Sequence, residues 1–468
     1  MTALQLDLFM QCKKILTVHS GNDGFFPGSV ISVAPWLFTT GASNIDRGIV
    51  TKVSLGNGKT IVCRSCSPGC LDRKMVSGNV VLCDSNIGII VALSAGAAGI
   101  IAKSGVEYDV SFVVPLPASA LLIDDLKLIK DYTNSTNAAK AIISTSESIK
   151  NTNAPLVASF PSKGPNPIIT DILKPDITAP GVEILAAYSP VGSVSNFGSN
   201  KGSANYSILS GTSMSCPHAA GAAAYVKSVH PDWSPSAIKS AIMTTGLVYE
   251  TNEQDYIKLL CNIGYTIESI RKLFNNNSIN CPKQVDTTIN DFNYPSISLQ
   301  VKQGVPFSAS FTRTVTNVGP ANSTYTARTN KPANFDIMVL STLKLLVFRF
   351  QVYIVYMGAI PEEVHSPYNI NKLQERHVEM LETVVDGRKL MGARFYTTIP
   401  TIDSAKETIG HGTHTAAIAA GNYVEDASFY GIAKGIARGG VLSARIELIM
   451  FVSEDATTWI YCRHLMMP

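Results

Sequence analysis

The stretch Gly211-Thr212-Ser213-Met214-Ser215-Cys216-Pro217-His218, running on into Ala219-Ala220-Gly221-Ala222-Ala223-Ala224, constrains the fold more than any other part of the chain. A helix of Gly, Ala and Ser has little apolar surface of its own to bury. It is stable where other elements close on its backbone from several sides, in the middle of a layered protein. The stretch also carries chemistry. A serine hydroxyl is a weak nucleophile until a base takes its proton and its oxygen stands clear of its own chain. The first turn of a helix offers that setting, because its unpaired N–H groups favour developing negative charge. Gly211 is expected to let the backbone approach closely, and Pro217 to sit in the first helical turn. Read alone, Ser213 is the cap of a buried helix; the chemical reading needs a partner.

Gly410-His411-Gly412-Thr413-His414-Thr415, leading into Ala416-Ala417-Ile418-Ala419-Ala420-Gly421, offers one. A histidine flanked by glycines at the start of a small-residue helix presents its ring to a cleft. An imidazole that titrates near neutrality is the usual base for serine. Two histidines three apart also suit a metal on one helix face, but no HExxH pattern or third ligand accompanies them. Serine ahead of histidine in the chain raises the α/β-hydrolases. Their nucleophile turn is GxSxG, and here Ser215 holds the last position of that pattern.

The remaining sequence narrows the class. The 468 residues carry 38 Lys and Arg against 35 Asp and Glu, a net charge of +3, with no basic cluster, so nucleic acid is a poor partner. Charged residues at 16% and an apolar fraction of 46% exclude a disordered chain, a collagen-like chain and a coiled coil. No membrane span is expected. Ile87–Ala102 is too short and too rich in Gly, Ala and Ser, and Leu340–Ile360 is broken by Lys344, Arg349 and Gln351. Asp7 and Gln11 interrupt the apolar start, so an N-terminal signal peptide is not expected. Nine cysteines imply at least one thiol outside an intrachain pair. Cys63, Cys66, Cys70 and Cys83 cluster; zinc ligation is one reading, and a disulfide, with Cys70–Cys83 as the expected pair, is the better one. Sequons at Asn134, Asn205, Asn276 and Asn322 matter only in a secreted protein.

Local patterning predicts strands in KILTVHS, VISVAPWLFTTGAS and IVTKVSLG within residues 14–60. Strand runs NVVLCD, AGIIAKS and SFVVPLPASAL and a helix around IDDLKLIKDYTN follow within 61–150. Pro-rich loops and the strand EILAAYS precede the Ser213 helix. Residues 253–275 read as helical, FSASFTRTVTNVG and STYTARTN as alternating strands, and 351–386 as a strand and a helix.

With these blocks in place, the chain resembles the subtilisin-like serine proteases, in particular the plant subtilase (cucumisin-like) branch. GTSMSCPHAAG and GHGTHTAAIAAG resemble that family's serine and histidine blocks. LTVHSGNDGFFPGSVISVAPWLFTTGASNIDR resembles its oxyanion-asparagine block, and GCLDRKMVSGNVVLCD the start of its inserted protease-associated domain. FPSKGPNP and ILKPDITAPGVEILAAY resemble the segments upstream of the serine, with Lys163 where the family usually has Arg. DFNYPSIS and FTRTVTNVG resemble the start of its C-terminal domain, and VYIVYMGAIPEEVHSPYN its propeptide. The resemblance implies an α/β fold: a subtilisin-like parallel-sheet catalytic core, an inserted protease-associated domain, a partial fibronectin type III-like β-sandwich and a ferredoxin-like propeptide segment. The implied boundaries are core fragments at 1–60, 151–275 and 389–446, the insert at 61–150 and the β-sandwich at 290–340. The propeptide-like segment spans 351–388, and a tail at 447–468 is unassigned. The resemblance makes Ser213 the nucleophile, His411 the general base and Asn22 the oxyanion donor, with His414, His218 and Cys216 structural. It implies no cofactor and no metal, polypeptide substrates, a propeptide contact within the chain or in trans, and an extracellular or cell-wall location.

The chain also departs from that family. The blocks run in a different order, from the asparagine block to the fibronectin-like region and then from the propeptide to the histidine block. No strand ending in Asp-Thr/Ser-Gly occurs, VDGR runs directly into KLMGARFY, and HSGND lacks an Ala before its Gly. Asp403, Asp171 and Asp176 do not stand where the resemblance needs a catalytic carboxylate. An impaired endopeptidase is therefore expected. The alternatives are an inactive subtilase-derived protein acting as a binding or propeptide-like inhibitor module, or a fusion of two neighbouring genes.

Overall fold

A computed structural model of the chain describes residues 15–57, 61–63, 71–83, 88–103, 110–136, 139–195, 203–244, 246–282, 289–300, 309–326, 342–344, 390–397, 410–452 and 459–462. The propeptide-like segment 351–388 and Asp403 lie outside the described residues.

Two strands open the core: β1 (Leu16–His19) and, parallel to it, β2 (Leu37–Ser43). Every residue of β2 is buried, as befits an inner parallel strand covered on both faces. The strand predicted over VISVAPWLFTTGAS is confined to its second half. Pro35 has no N–H to give to a ladder, and the chain ahead of it forms a loop. The inserted stretch then builds its own parallel sheet from β3 (Ile61–Cys63), β4 (Val80–Cys83), β5 (Gly99–Lys103) and β6 (Ala118–Leu121), followed by α1 (Ile123–Ser135). The predicted strands and helix of this stretch are present, though SFVVPLPASAL is strand only at its end.

The chain returns to the core through β7 (Ile177–Pro180), parallel to β2, so the sheet order is β1-β2-β7. β8 (Ile184–Ala187) and β9 (Tyr206–Leu209) pair antiparallel and lead into α2 (Thr212–Val229). α3 (Pro235–Met243), α4 (Glu253–Asn262) and α5 (Ile267–Phe274) follow. Helix α2 covers one face of the sheet through contacts with β1, β2 and β7. On the other face Val18, Trp36 and Leu37 pack with Tyr256, Ile257, Leu260, Ile270 and Phe274 of α4 and α5. A parallel sheet between helical layers is the α/β arrangement the resemblance implies.

Cys261 and Cys281 form a disulfide that ties α4 to the chain beyond α5, a pair that the cysteine spacing did not single out. Cys83 is disulfide-bonded, while Cys70 lies outside the described residues.

β10 (Leu390–Thr397), α6 (His411–Ala420), β11 (Ile446–Val452) and β12 (Trp459–Cys462) complete the described elements that bear on the site. β10 pairs parallel with β11, and β11 antiparallel with β12, so part of the unassigned tail is strand. Helix α6 packs on α2 and β8. Its last carbonyls are capped by the chain at 439–441, where the N–H groups of Gly439, Gly440 and Val441 donate to Gly421, Ile418 and Ala419 at 2.9, 2.9 and 3.0 Å. A Cβ on Gly439 would lie 2.2 Å from the Gly421 nitrogen, so this crossing admits no side chain.

Beneath β2 lies a buried polar cluster. The Lys174 ammonium pairs with Asp176 at 2.6 Å and donates to the Leu37 carbonyl at 2.8 Å. Asp176 also accepts from the Thr39 N–H at 2.7 Å and from the Tyr294 hydroxyl. Lys239 of α3 donates to the Pro35 carbonyl at 2.6 Å and lies 4.1 Å over the Tyr294 ring. Burial pushes its ammonium down to about 7, with the positive Lys174 adding to the shift and Asp176 opposing it. Tyr294, from DFNYPSIS, thus plugs into the sheet rather than into a separate sandwich. Of the strands predicted after it, the described part of FSASFTRTVTNVG forms only Thr316–Asn317, and STYTARTN forms Thr324–Thr326.

Candidate active site

Ser213 is the second residue of α2, half-buried, and no hydrogen bond of its side chain occurs among the described residues. The helix starts five residues before Pro217, so Pro217 falls inside it rather than in its first turn. Its missing N–H is the one that would have bonded the Ser213 carbonyl four residues back, near the helix start. The close approach predicted for Gly211 belongs instead to Gly181. A Cβ there would lie 2.6 Å from the Ala42 Cβ and 2.9 Å from the Gly211 carbonyl oxygen.

Asn22 reaches the same helix end. Its Oδ1 accepts from the Thr212 N–H at 3.0 Å and from Thr212 Oγ1 at 2.9 Å. An amide held through its oxygen turns its N–H2 group away from those donors, and Asn22 is exposed. The loop carrying it is pinned to FPSKGPNP. Asp23 N–H donates to Ser162 Oγ at 3.0 Å, Gly24 N–H to the Phe160 carbonyl at 2.8 Å, and Val30 N–H to the Lys163 carbonyl at 3.1 Å. Thr212 and Ser162 are positioning residues that sequence reasoning missed; nothing in their spacing announces them.

His411 is the first residue of α6, after Gly410 in the left-handed conformation. It is half-buried, and burial alone lowers its pKa below the ordinary 6.5. No acidic group acts on it, and no hydrogen bond joins it to Ser213 among the described residues. Deeper in the helix, His414 is fully buried and donates from Nε2 to the Ile184 carbonyl at 3.0 Å, fixing α6 to β8. Burial, with the neighbouring His411 and His218 opposing its protonation, brings its pKa down to about 3. His218 donates from Nδ1 to the Met214 carbonyl at 2.8 Å. Burial raises the Cys216 thiol to about 11, so it is protonated at neutral pH and is no rival nucleophile. Among the described residues no group of three or more His, Cys, Asp or Glu is arranged to hold a metal. A cavity of about 650 Å³ opens between β8, α2 and the end of α6, lined by His218, Tyr225 and Arg438, and none of Ser213, His411 or Asn22 lines it.

The histidines set an expected acid response. His414 stays neutral in the fold down to about pH 3 but protonates near 6.5 when unfolded. Its contribution to stability is intact above that value and falls by about 1.4 kcal/mol per pH unit below it. His19, pushed down to about 4, adds the same slope over most of that range. Urea unfolding midpoints measured at pH 7, 6, 5 and 4 should fall progressively, and a His414→Gln variant should lose part of that slope.

Residues 29–277 match the model described as the Subtilase family, and residues 291–352 that of a fibronectin type-III domain. Ser213 lies inside the first range; Asn22 and His411 lie outside it. The subtilisin-like protease SBT4.6 of Arabidopsis thaliana is 44% identical over 380 residues, 68% of this chain and 51% of that protein. SBT4.13 of the same plant is 40% identical over 401 residues, 72% of this chain and 54% of that protein. The chain spans about half the length of the curated relatives it matches.

Proposed function

The chain belongs to the subtilase family, and from that footing we propose that it carries a weakened serine-endopeptidase centre with Ser213 as nucleophile, His411 as general base and Asn22 as oxyanion donor. The observation that carries this reading is the double hydrogen bond from Thr212 to Asn22 Oδ1, which presents the Asn22 amide N–H2 beside the helix turn that bears Ser213. In the reaction, the His411 ring takes the Ser213 proton as the oxygen adds to a peptide carbonyl. The Asn22 amide and the N-terminus of α2 receive the charge on the carbonyl oxygen. The imidazolium then gives its proton to the leaving amine, and water repeats the sequence on the acyl-enzyme.

The weakening is argued from His411, whose pKa burial lowers and on which no carboxylate acts among the described residues. That observation also favours a second reading, an inactive subtilase-derived protein in which 351–388 acts as an inhibitor segment in trans or 61–150 as a binding module. On either reading, 61–150 is a protease-associated module, 290–340 the start of a fibronectin-like domain, and the protein extracellular or in the cell wall, acting on or binding polypeptides.

A fluorophosphonate probe separates the two. Slow labelling that disappears in Ser213→Ala supports the first, and folded protein left unlabelled after prolonged exposure refutes it. Because the base must be neutral, labelling should rise with pH and level off with its midpoint below pH 6.5, where burial places His411.

A further inference from the structure

Glu183 takes no part in the reading above, yet both oxygens of its carboxylate hold the stretch 61–150 and the strands that join it to the core. Oε1 accepts from the Ser111 hydroxyl, and Oε2 accepts from the Ile49 N–H at 2.9 Å. Ile49 lies in the strand Arg47–Val50, which pairs antiparallel with Glu147–Lys150. These two strands form the neck through which the chain leaves the core and returns. On either side of Ser111 the docking continues through apolar contacts. Val110 packs on the cluster of Ala42, Ala158, Phe160 and Val182, and Val113 on that of Ile208, Phe429 and Ala433. Residues 110–113 thus lie as a strap across the core, clamped at Glu183.

The backbone around Glu183 serves the opposite side, the start of α2. The Glu183 N–H donates to Ser210 Oγ at 2.9 Å, and its carbonyl accepts from Arg47 Nη2 at 2.7 Å. Two residues earlier, the Gly181 carbonyl accepts from the N–H of Gly211, the residue before α2, at 2.8 Å. A Cβ on Gly181 would lie 3.1 Å from the Ser215 Cβ, so this turn has no slack against the helix. Glu183 itself has a φ of 55°, in the left-handed region that a side chain enters only at a cost. It is also 7% exposed, and a buried carboxylate is unfavourable unless donors meet its oxygens. A residue both strained and buried persists where its surroundings hold it.

We propose that Glu183 is a positioning residue that couples the stretch 61–150 to the reacting serine. Strap and neck hold its carboxylate, and the 181–183 turn it anchors fixes Ser210, Gly211 and through them the first turn of α2. Whatever displaces residues 110–113 loosens that turn, and a small misplacement of a reacting group lowers the rate steeply. The inference rests on Ser213 acting as nucleophile.

The test uses the full chain and its variants Ser111→Ala, Ser111→Thr, Glu183→Gln and Asp72→Ala. Ser111 is exposed, so Ser111→Ala removes one hydrogen bond without opening the core. It should slow fluorophosphonate labelling of Ser213 about threefold or more, and Glu183→Gln, which turns one acceptor into a donor, by more. Ser111→Thr keeps the hydroxyl and should keep the parent rate. Asp72 caps a helix of the same stretch by accepting from the Lys74 N–H at 2.9 Å. Asp72→Ala weakens the stretch without touching the strap and should label as the parent does. Deuterium exchange at the amides of residues 211–214 should quicken in Ser111→Ala and Glu183→Gln, with α4 and α5 exchanging as in the parent. Parent-like labelling or parent-like exchange over 211–214 in both variants overturns the proposal. So does slowing that Asp72→Ala reproduces, or exchange that quickens equally in α4 and α5. If the parent is not labelled at all, the nucleophile reading fails, and the exchange measurement alone decides whether Glu183 couples the strap to α2. Should Glu183→Gln unfold, Ser111→Ala and its Ser111→Thr rescue decide the outcome.

Discussion

Asp176→Ala is expected to destabilise the folded chain by about 3–5 kcal/mol, because it leaves a buried ammonium without its counter-charge. Asp176 accepts from Lys174, the Thr39 N–H and Tyr294, and both side chains of the ion pair are fully buried. Burial already depresses the Lys174 pKa, and Asp176 is what opposes that shift. Without the carboxylate, the cheapest response is loss of the Lys174 proton, so the variant should regain stability as pH rises. Removing both charges tests the same physics from the other side. Lys174→Met with Asp176→Leu should cost less than Asp176→Ala alone, since it leaves no unpaired ammonium at 174, although the Thr39 N–H and the Tyr294 hydroxyl still lose their acceptor. Urea unfolding of the parent, the single and the double variant decides it. A single variant as stable as the parent would mean that the cluster contributes nothing. The consequence reaches the C-terminal region, because Tyr294 of that region donates to Asp176, which in turn holds the Thr39 N–H of β2.

Much of this fold is legible in the sequence because its strongest signals are local. The apolar runs of β2, β4 and β5 and the small-residue helices α2 and α6 need no long-range information to be recognised as buried elements. What the sequence does not display is which distant residues meet. Lys174, Asp176, Lys239 and Tyr294 look like four unrelated surface-type residues in a linear reading, and a fully buried lysine pair runs against base expectation. The Cys261–Cys281 pair is equally silent, since spacing alone cannot assign connectivity. The limit at VISVAPWLFTTGAS is different in kind. Its alternation is real, but Pro35 ends the ladder before alternation can be used.

The site divides along the same line. Ser213 and His411 are visible because each stands in a Gly-flanked, Ala-rich context that serves little purpose unless a residue must be presented at a helix start. Thr212 and Ser162 are not visible. Their roles come from the Asn22 loop folding back on α2, a contact across 190 positions for Thr212 and Asn22. The expected weakness at His411 follows from a pattern missing in the sequence; among the described residues, burial is what lowers the pKa of its ring.

The proposed weakness would have a measurable signature in His411→Ala. In subtilisin itself, removing the serine or the histidine costs about 2 × 10⁶ in kcat and removing the aspartate alone about 3 × 10⁴. The three act as one unit, so most of what the histidine contributes depends on the carboxylate behind it. If no carboxylate engages His411, that dependent share is already gone. His411→Ala should then slow labelling of Ser213 by only about 10²-fold, the ratio of those two figures. A loss of about 10⁵-fold or more would mean that a carboxylate engages His411 after all. A loss below about threefold would mean that His411 is not the base. Either result would be read against the folded state of the variant, checked by near-ultraviolet circular dichroism. The intermediate value is the distinguishing one, because it requires an imidazole that is present and basic but poorly held.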